Sequence, residues 1–358
     1  MSTTPVSHDP SLHDLRIEET VALVSPQELL AEHPLTAELA ASVVRNRQAV
    51  EAILDREDPR LLVVVGPCSV HDPLAALDYG RRLAALAPEL PDLMVVMRVY
   101  FEKPRTTTGW KGLINDPHLD DSGDVNTGLR TARHLLLEVL EVGLPIGCEF
   151  LDPITPQYIA DTVAWGAIGA RTTESQTHRQ LASGLSMPVG FKNRTDGNVG
   201  VAVDAVRAAA APHSFAGVEL GGGSAILRTS GNSDCHIILR GGRGATNYDA
   251  ASVADTVERL RAVGLPERMI VDASHDNSGK DHERQPAVAA AIGEQVAAGE
   301  PAIVGVMLES FLEAGRQDLG GPLTYGRSVT DQCMAWDATV DVLRDLDEAA
   351  RKRRAGEG

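Results

Sequence analysis

The run VVVGPCSVHD, residues 63–72, carries a thiol to the end of a strand: three β-branched valines, a Gly66-Pro67 stop, then Cys68. A cysteine in that place is a small buried hydrophobe, a nucleophile or a metal ligand. Three more side chains of ligand type follow far downstream: His275 in DASHDNS, Glu309 in MLES and Asp331 in TDQC. Thiolate, imidazole and two carboxylates make a mixed donor set for one divalent transition ion, Mn²⁺, Co²⁺, Fe²⁺ or Zn²⁺. No CxxC or HExxH spacing announces such a site. The competing use is a Cys68–His275 nucleophilic dyad, which leaves Glu309 and Asp331 without a role. A second set is cationic: Arg98, Lys103, Arg105, Arg171, Lys192 and Arg240, with Thr106 beside Arg105. Gathered in one place these charges repel, so they need anions between them. Guanidinium forks suit phosphate and carboxylate, and the set fits two phosphates plus a carboxylate.

Both sets gain meaning from the elements that must hold them. Strand candidates are 61–65, 94–101, 146–150, 167–171, 188–191, 236–240, 269–273 and 302–308, separated by Ala-rich amphipathic stretches. Eight such repeats predict a parallel (β/α)₈ TIM barrel, with an open doubly wound sheet as the competitor. Nearly every candidate above falls at the carboxyl end of one of these strands, as does Glu149 in CEFLD. That is the end where such barrels place their active sites. Residues 1–60 form a preface of arm and helices, with Ser25 and Thr36 as helix caps, and the barrel domain spans 61–350. Two short strands around GGGS predict an inserted β-hairpin at 215–232. The last helix is expected to open at TDQC, with Asp331 in its first turn. Trp110, Trp165 and Trp336 read as packing, and the RKRR tail as a helix C-terminus.

The 358 residues carry 43% hydrophobic and 23% charged side chains and a net charge of −17. That balance excludes a nucleic-acid surface, which needs a basic footprint, but not a local basic pocket. Four cysteines are too few for a disulfide framework. No apolar run suits a membrane span and no signal peptide is visible at the start, so the expectation is a cytoplasmic protein.

GPCSVHD, MRVYFEKPRTTTGWKGLINDPHL, GARTTESQTHRQLASGLSMPVGFKN, CHIILRGG, DASHDNSGKD and YGRSVTDQC together resemble the microbial type I 3-deoxy-D-arabino-heptulosonate 7-phosphate (DAHP) synthases, from DLRI at residue 14 to the last helix. The resemblance implies a transferase that condenses phosphoenolpyruvate with erythrose 4-phosphate at the entry to the shikimate pathway. It places Cys68, His275, Glu309 and Asp331 on the family's metal ligands. Arg171, Lys192 and Arg240 fall on positions holding phosphoenolpyruvate, Arg98 and Lys103 near its carboxylate, and Arg105 and Thr106 on the aldose phosphate. Lys103, His275 and Glu149 are the candidates for moving protons. The sister enzyme making 3-deoxy-D-manno-octulosonate 8-phosphate is the nearest rival, and KPRT speaks against it. A catalytically silent amino-acid sensor is the other, against which all four ligands are present. The resemblance also implies a homodimer or homotetramer bridged by the N-terminal arm, whose DLRIEETVALVSP reads as β-rich. It implies an aromatic amino-acid pocket formed by Asp14, Pro156, Gln157, Leu185, Ser186, Phe215, Gly217 and Leu227, in which Gly217 leaves room for a phenol and favours tyrosine. Cys333, two residues beyond Asp331, is expected near Cys68 and able to pair with it in air when metal is absent. One departure stands out: KNRTDG, where the family usually reads KNGTDG, puts Arg194 in the loop after the fifth strand.

Overall fold

Period-two alternation sorts the strand side chains of this chain into an inner and an outer core. In the computed structural model, which describes residues 13–356, the parallel strands are β1 (Leu61–Gly66), β2 (Leu93–Arg98), β3 (Ile146–Glu149), β4 (Trp165–Ile168) and β5 (Val189–Lys192). An antiparallel hairpin, β6 (Ser214–Val218) and β7 (Ser224–Arg228), interrupts them before β8 (His236–Leu239), β9 (Met269–Asp272) and β10 (Ile303–Glu309). The eight parallel strands close in the order β1-β10-β9-β8-β5-β4-β3-β2, a (β/α)₈ TIM barrel. Leu62, Val64, Met94, Val96, Trp165, Ala167, Ile238 and Ile270 fill its interior. Their strand neighbours Leu61, Val63 and Val65 face the helices. The helix Ala37–Leu54, capped by Thr36, turns Val50, Ile53 and Leu54 onto the inner cluster and closes the end where the strands begin. All chemistry is left to the other end. No described helix is long and apolar enough to cross a membrane.

Three expectations need correction. β2 ends at Arg98 instead of running to Phe101, and β4 ends at Ile168 instead of running to Arg171, where Thr172 N turns back to donate to Gly169 O at 3.0 Å. Arg171 therefore sits on a loop. The last helix is Trp336–Ala355 and does not include Asp331. Cys333 and Met334 are still in extended pairing with Gly315 and Ser310, which holds Asp331 in the preceding loop. Residues 14–24 form no strand; Leu15, Ile17, Val21 and Leu23 are exposed, with no strand partner among the described residues. The hairpin is as expected, apart from bounds.

Inside the barrel, His236 Nε2 faces Trp165 Nε1 at 3.1 Å and Nδ1 lies 3.1 Å from Asp234 O. The neutral ring satisfies both contacts, donating from Nδ1 and accepting at Nε2. A second ring proton would point at the indole N–H. Burial pulls the His236 pKa from 6.5 down to about 3, against the carbonyl of Asp234. The folded protein thus refuses a proton that the unfolded chain accepts. This contribution is intact above about pH 6.5 and is lost as the pH falls toward 3, at up to about 1.4 kcal/mol per pH unit. In urea unfolding across that window, His236→Gln is expected to flatten the acid slope by up to one proton; an unchanged slope assigns the effect elsewhere.

Candidate metal centre and anion cleft

The carboxyl ends of β9, β10 and β1 are adjacent in the barrel, and each delivers one donor. β1 stops at Gly66, and the next turn places Cys68, fully buried, beside Glu309 at the end of β10. Asp331 arrives from the loop before the last helix; its carboxylate, the Glu309 carboxylate and the Cys68 sulfur all lie within 4.8 Å of one another. Ser69 Oγ and Thr330 Oγ1, 2.7 Å apart, tie the two loops together. His275, from β9, faces the group with Nε2 3.6 Å from Glu309 Oε1. Cys333 Sγ accepts from Cys68 N at 3.3 Å, so the two thiols are neighbours as expected; both are free in this structure.

The donors fit a divalent cation. Glu309 Oε1 is buried without a hydrogen-bond partner, although Arg98 Nη2 lies 3.1 Å away off the bonding axis. Burial opposes its charge, but His275 and Arg98 hold its carboxyl below the usual range. Burial and then Glu309 push the Cys68 thiol up, against the pull of Lys103 Nζ at 3.2 Å. Burial also opposes Asp331, yet Lys103, His275 and Lys280 draw it down to about 2. Two ionised carboxylates and a thiol converging within 4.8 Å, one oxygen among them without a hydrogen bond, are donors that a divalent ion would satisfy.

His275 is set by a residue the sequence reading passed over. Asp272, wholly buried at the end of β9, puts Oδ2 2.7 Å from His275 Nδ1 and 3.1 Å from Lys192 Nζ. These are charge contacts off the hydrogen-bond axis. Its other oxygen accepts from Ser274 N at 2.9 Å. Burial, then Lys192, lower the His275 pKa against the pull of Asp272 and Glu309. The signal was in DASH, an acid three residues before the histidine.

Beside the donors lies a cleft of about 280 Å³ lined by Lys103, Arg105, Thr106, Glu149, Arg171, Lys192, Arg240, His275 and Asp331 among others. Five of the six predicted cations reach it. Arg98 does not: it is fully buried behind the wall, donating to the carbonyls of Pro67 and Cys68 and stacked 3.7 Å over the Tyr100 ring. A sixth lining cation, Lys280, was missed; it follows a helical turn at φ 61 and sits 3.4 Å from both Asp331 oxygens. Nothing in GKD marks it. Gly169 keeps the Glu149 carboxylate at the cleft, since a Cβ there would meet Glu149 Oε1 at 2.3 Å. Arg194 adds no cation to the cleft and no left-handed strain; it pairs with Glu174 at 2.7 Å and Asp196 at 3.1 Å.

A barrel with a mixed metal-donor set beside a cation-lined cleft defines an enzyme acting on phosphorylated, carboxylated substrates. Residues 40–344 match the model of the DAHP synthetase I family. The chain is 57% identical to the Phe-sensitive phospho-2-dehydro-3-deoxyheptonate aldolase of Escherichia coli, over 95% of this chain and 98% of that one. It is 55% identical to the enzyme of that name from Corynebacterium glutamicum, over 99% of each. The solved structure of phospho-2-dehydro-3-deoxyheptonate aldolase from Francisella tularensis SCHU S4 superposes with a TM-score of 0.93 at 48% identity, covering 94% of this chain and 99% of that one. The chain belongs to the DAHP synthetase I family, and its class of activity is DAHP synthesis.

Asp272→Asn is expected to keep the fold and weaken Mn²⁺ binding by about 10–100-fold, because the His275 ring loses its fixed tautomer. Titration of purified protein against a competing chelator measures this; an unchanged affinity refutes the orienting role of Asp272.

Proposed function

We propose that this cleft joins phosphoenolpyruvate to D-erythrose 4-phosphate, with water, to give DAHP and phosphate in the cytoplasm, using one divalent metal ion held by Cys68, His275, Glu309 and Asp331. The observation that carries the reading is the convergence of metal donors and six cations on one cleft. Arg171, Lys192 and Arg240 hold phosphoenolpyruvate. Arg105 and Thr106, on the loop after β2, take the phosphate of the aldose. Lys103 lies between the two groups and neighbours the carboxylate, while Arg98 braces Cys68 and Glu309 from behind. A metal held by Cys68, His275, Glu309 and Asp331 would supply Lewis-acid polarisation of the aldehyde oxygen. C3 of phosphoenolpyruvate attacks the aldehyde carbon, water adds at C2, and the resulting hemiketal phosphate expels phosphate. Lys103, with Nζ 3.0 Å from Cys68 O, His275 and Glu149 border this space and are the groups able to move protons. Fixing two anions in line removes much of the barrier by itself.

Regulation and assembly belong to the same reading. The inner side of the hairpin presents Phe215, Gly217 and Leu227, and its tip touches the start of the helix Pro26–Glu32, where Gln27 N donates to Leu220 O at 2.8 Å. Pro156 and Gln157 begin a helix whose Tyr158 hydroxyl donates to Val24 O at 2.7 Å. Leu185 packs on the core, and Ser186 and Asp14 are exposed. An aromatic amino acid held in this region inhibits, tyrosine best. Relatives with Phe-sensitive, Tyr-sensitive and Trp-sensitive in their names match the chain at 52–57% identity. The bare apolar row Leu15, Ile17, Val21 and Leu23 suits an arm laid on a second copy, in a homodimer or homotetramer.

Three outcomes are expected. EDTA abolishes phosphoenolpyruvate consumption with erythrose 4-phosphate and Mn²⁺ or Co²⁺ restores it, whereas arabinose 5-phosphate supports none; full activity of metal-free Cys68→Ala would falsify the ligand set. Tyrosine inhibits wild type more than phenylalanine does. Gly217→Ser shifts that preference toward phenylalanine, after its Cβ, which would meet Leu227 Cδ1 at 2.5 Å, displaces that flexible methyl; wild type inhibited by phenylalanine alone defeats the steric argument.

A further inference from the structure

Between the strand β2 and the cleft residues Lys103, Arg105 and Thr106 stands Glu102, a carboxyl with 2% of its surface exposed and no role in the chemistry above. It is the last buried residue before a loop whose tip, 105–109, is exposed. The loop closes on itself where Lys103 N donates to Lys111 O at 2.8 Å and Arg105 Nε to Trp110 O at 2.7 Å. Its foot is tightly seated: a Cβ on Gly112, at φ +117, would lie 1.9 Å from Phe101 O. Those contacts hold the loop together without fixing it against the rest of the barrel mouth.

Two single bonds tie the loop outward, Lys103 Nζ to Cys68 O at 3.0 Å and Arg171 Nη1 to Pro104 O at 3.3 Å, and Glu102 adds the buried connection. Its Oε1 accepts from Asp152 N at 3.2 Å, and its Oε2 from Thr155 Oγ1 at 3.0 Å and, more weakly, from Leu151 N at 3.4 Å. All three partners lie on the loop after β3. No cation is within ion-pair distance among the described residues, so the carboxyl is buried among neutral donors. Burial and Asp152 push it up to about 8, against the pull of these hydrogen bonds. The neutral acid also satisfies the network: it donates from Oε2 to Thr155 Oγ1, which donates in turn to Asp152 O at 3.2 Å. A buried acid that pairs with no charge but bridges two loops acts through geometry.

We propose that Glu102 is a positioning residue for the aldose-phosphate side of the reaction: it pins the Lys103–Thr106 loop to the loop after β3 and so sets where Arg105 and Thr106 meet the aldose phosphate. The proposal rests on the reading of Arg105 and Thr106 as the aldose-phosphate contacts. It predicts a selective defect. Phosphoenolpyruvate is held chiefly by Lys192 and Arg240 on other strands and by Arg171, which touches this loop only at Pro104 O, while Lys103 is anchored separately on Cys68 O at 3.0 Å.

The test is steady-state kinetics of the metal-loaded enzyme with each substrate varied in turn. Glu102→Ala raises KM for erythrose 4-phosphate about tenfold or more, leaves KM for phosphoenolpyruvate within about twofold, and changes kcat less than the aldose KM. Glu102→Gln, which reproduces the neutral acid by donating to Thr155 and accepting from Asp152 N, restores the aldose KM. Thr155→Val gives a smaller rise of the same kind, not additive with Glu102→Ala, and serves if the alanine variant does not fold. Equal rises in both KM values, or a failure of Glu102→Gln to restore, overturn the proposal in favour of a general packing role. Arg105→Ala separates the two levels. If it raises the aldose KM while the Glu102 and Thr155 variants do not, this inference alone falls; if it leaves the aldose KM unchanged, the reading of the loop falls and the inference with it.

Discussion

A carboxylate with no exposed surface, Asp272, stands at the end of β9 between a histidine and a lysine that come from different strands. Burying it is costly in isolation, and the protein retains it because each partner would otherwise be wrong. Asp272 Oδ1 takes the Ser274 hydroxyl proton, which leaves Ser274 Oγ to accept from His275 Nδ1 at 3.0 Å and turns Nε2 toward Glu309. Without Asp272, Lys192 would be a buried ammonium without an anion in the free enzyme. Burial opposes the Asp272 charge, yet His275 and Lys192 hold its carboxyl well below the usual range. One residue thereby fixes the boundary between the donor group and the cleft.

The same constraint, too many like charges in too little dielectric, explains how the cations are arranged. Each is held by an acceptor that leaves its charge available: Arg105 by a Trp110 carbonyl, Arg171 by the Pro104 carbonyl at 3.3 Å, Lys103 by the Cys68 carbonyl. Lys192, Arg240 and Lys280 are the exceptions, paired with Asp272, Asp276 and Asp331. Arg98 shows the alternative use of a guanidinium. With no exposure, it takes two carbonyls, an aromatic face and Glu309, and becomes part of the framework that carries Cys68. The acidic surface of the whole chain does not contradict this basic interior, since the cleft sets its own local field.

The barrel and its site were legible from the sequence to different depths. Strand positions followed from β-branched runs, and the motif residues at their ends then fell together by topology alone. Misses came where tertiary contacts override local pattern. Asp331 looked helical because TDQC resembles a helix start, but the bridges of Cys333 and Met334 to Gly315 and Ser310 keep the chain extended. The arm read as strand because Ile17, Val21 and Leu23 favour one, but a strand needs a partner and the described residues supply none there. Arg98 resembled its cationic neighbours in type and place; only packing distinguishes a guanidinium in the wall from one in the cleft. Lys280 and Glu102 carry no sequence signal, because a left-handed backbone and a bridge between loops exist only in the folded chain.

Strand order gives the site its polarity. The donors come from β9, β10 and β1, which are consecutive around the barrel, with Asp331 laid across them. Lys192, Arg240 and Arg171 come from β5, β8 and the loop after β4, the next consecutive arc. One side of the mouth is therefore rich in anionic donors and the other in cations. A small cation is drawn to the first arc, whereas phosphates and carboxylates are repelled from it and held by the second. Lys103 and Arg105, on the loop after β2, lie beyond the donor arc from the opposite direction, because β2 closes the barrel onto β1. Anions at these two places would face each other across the donors. That polarity suits the condensation proposed for the site, and it follows from the order of the strands before any single contact is considered.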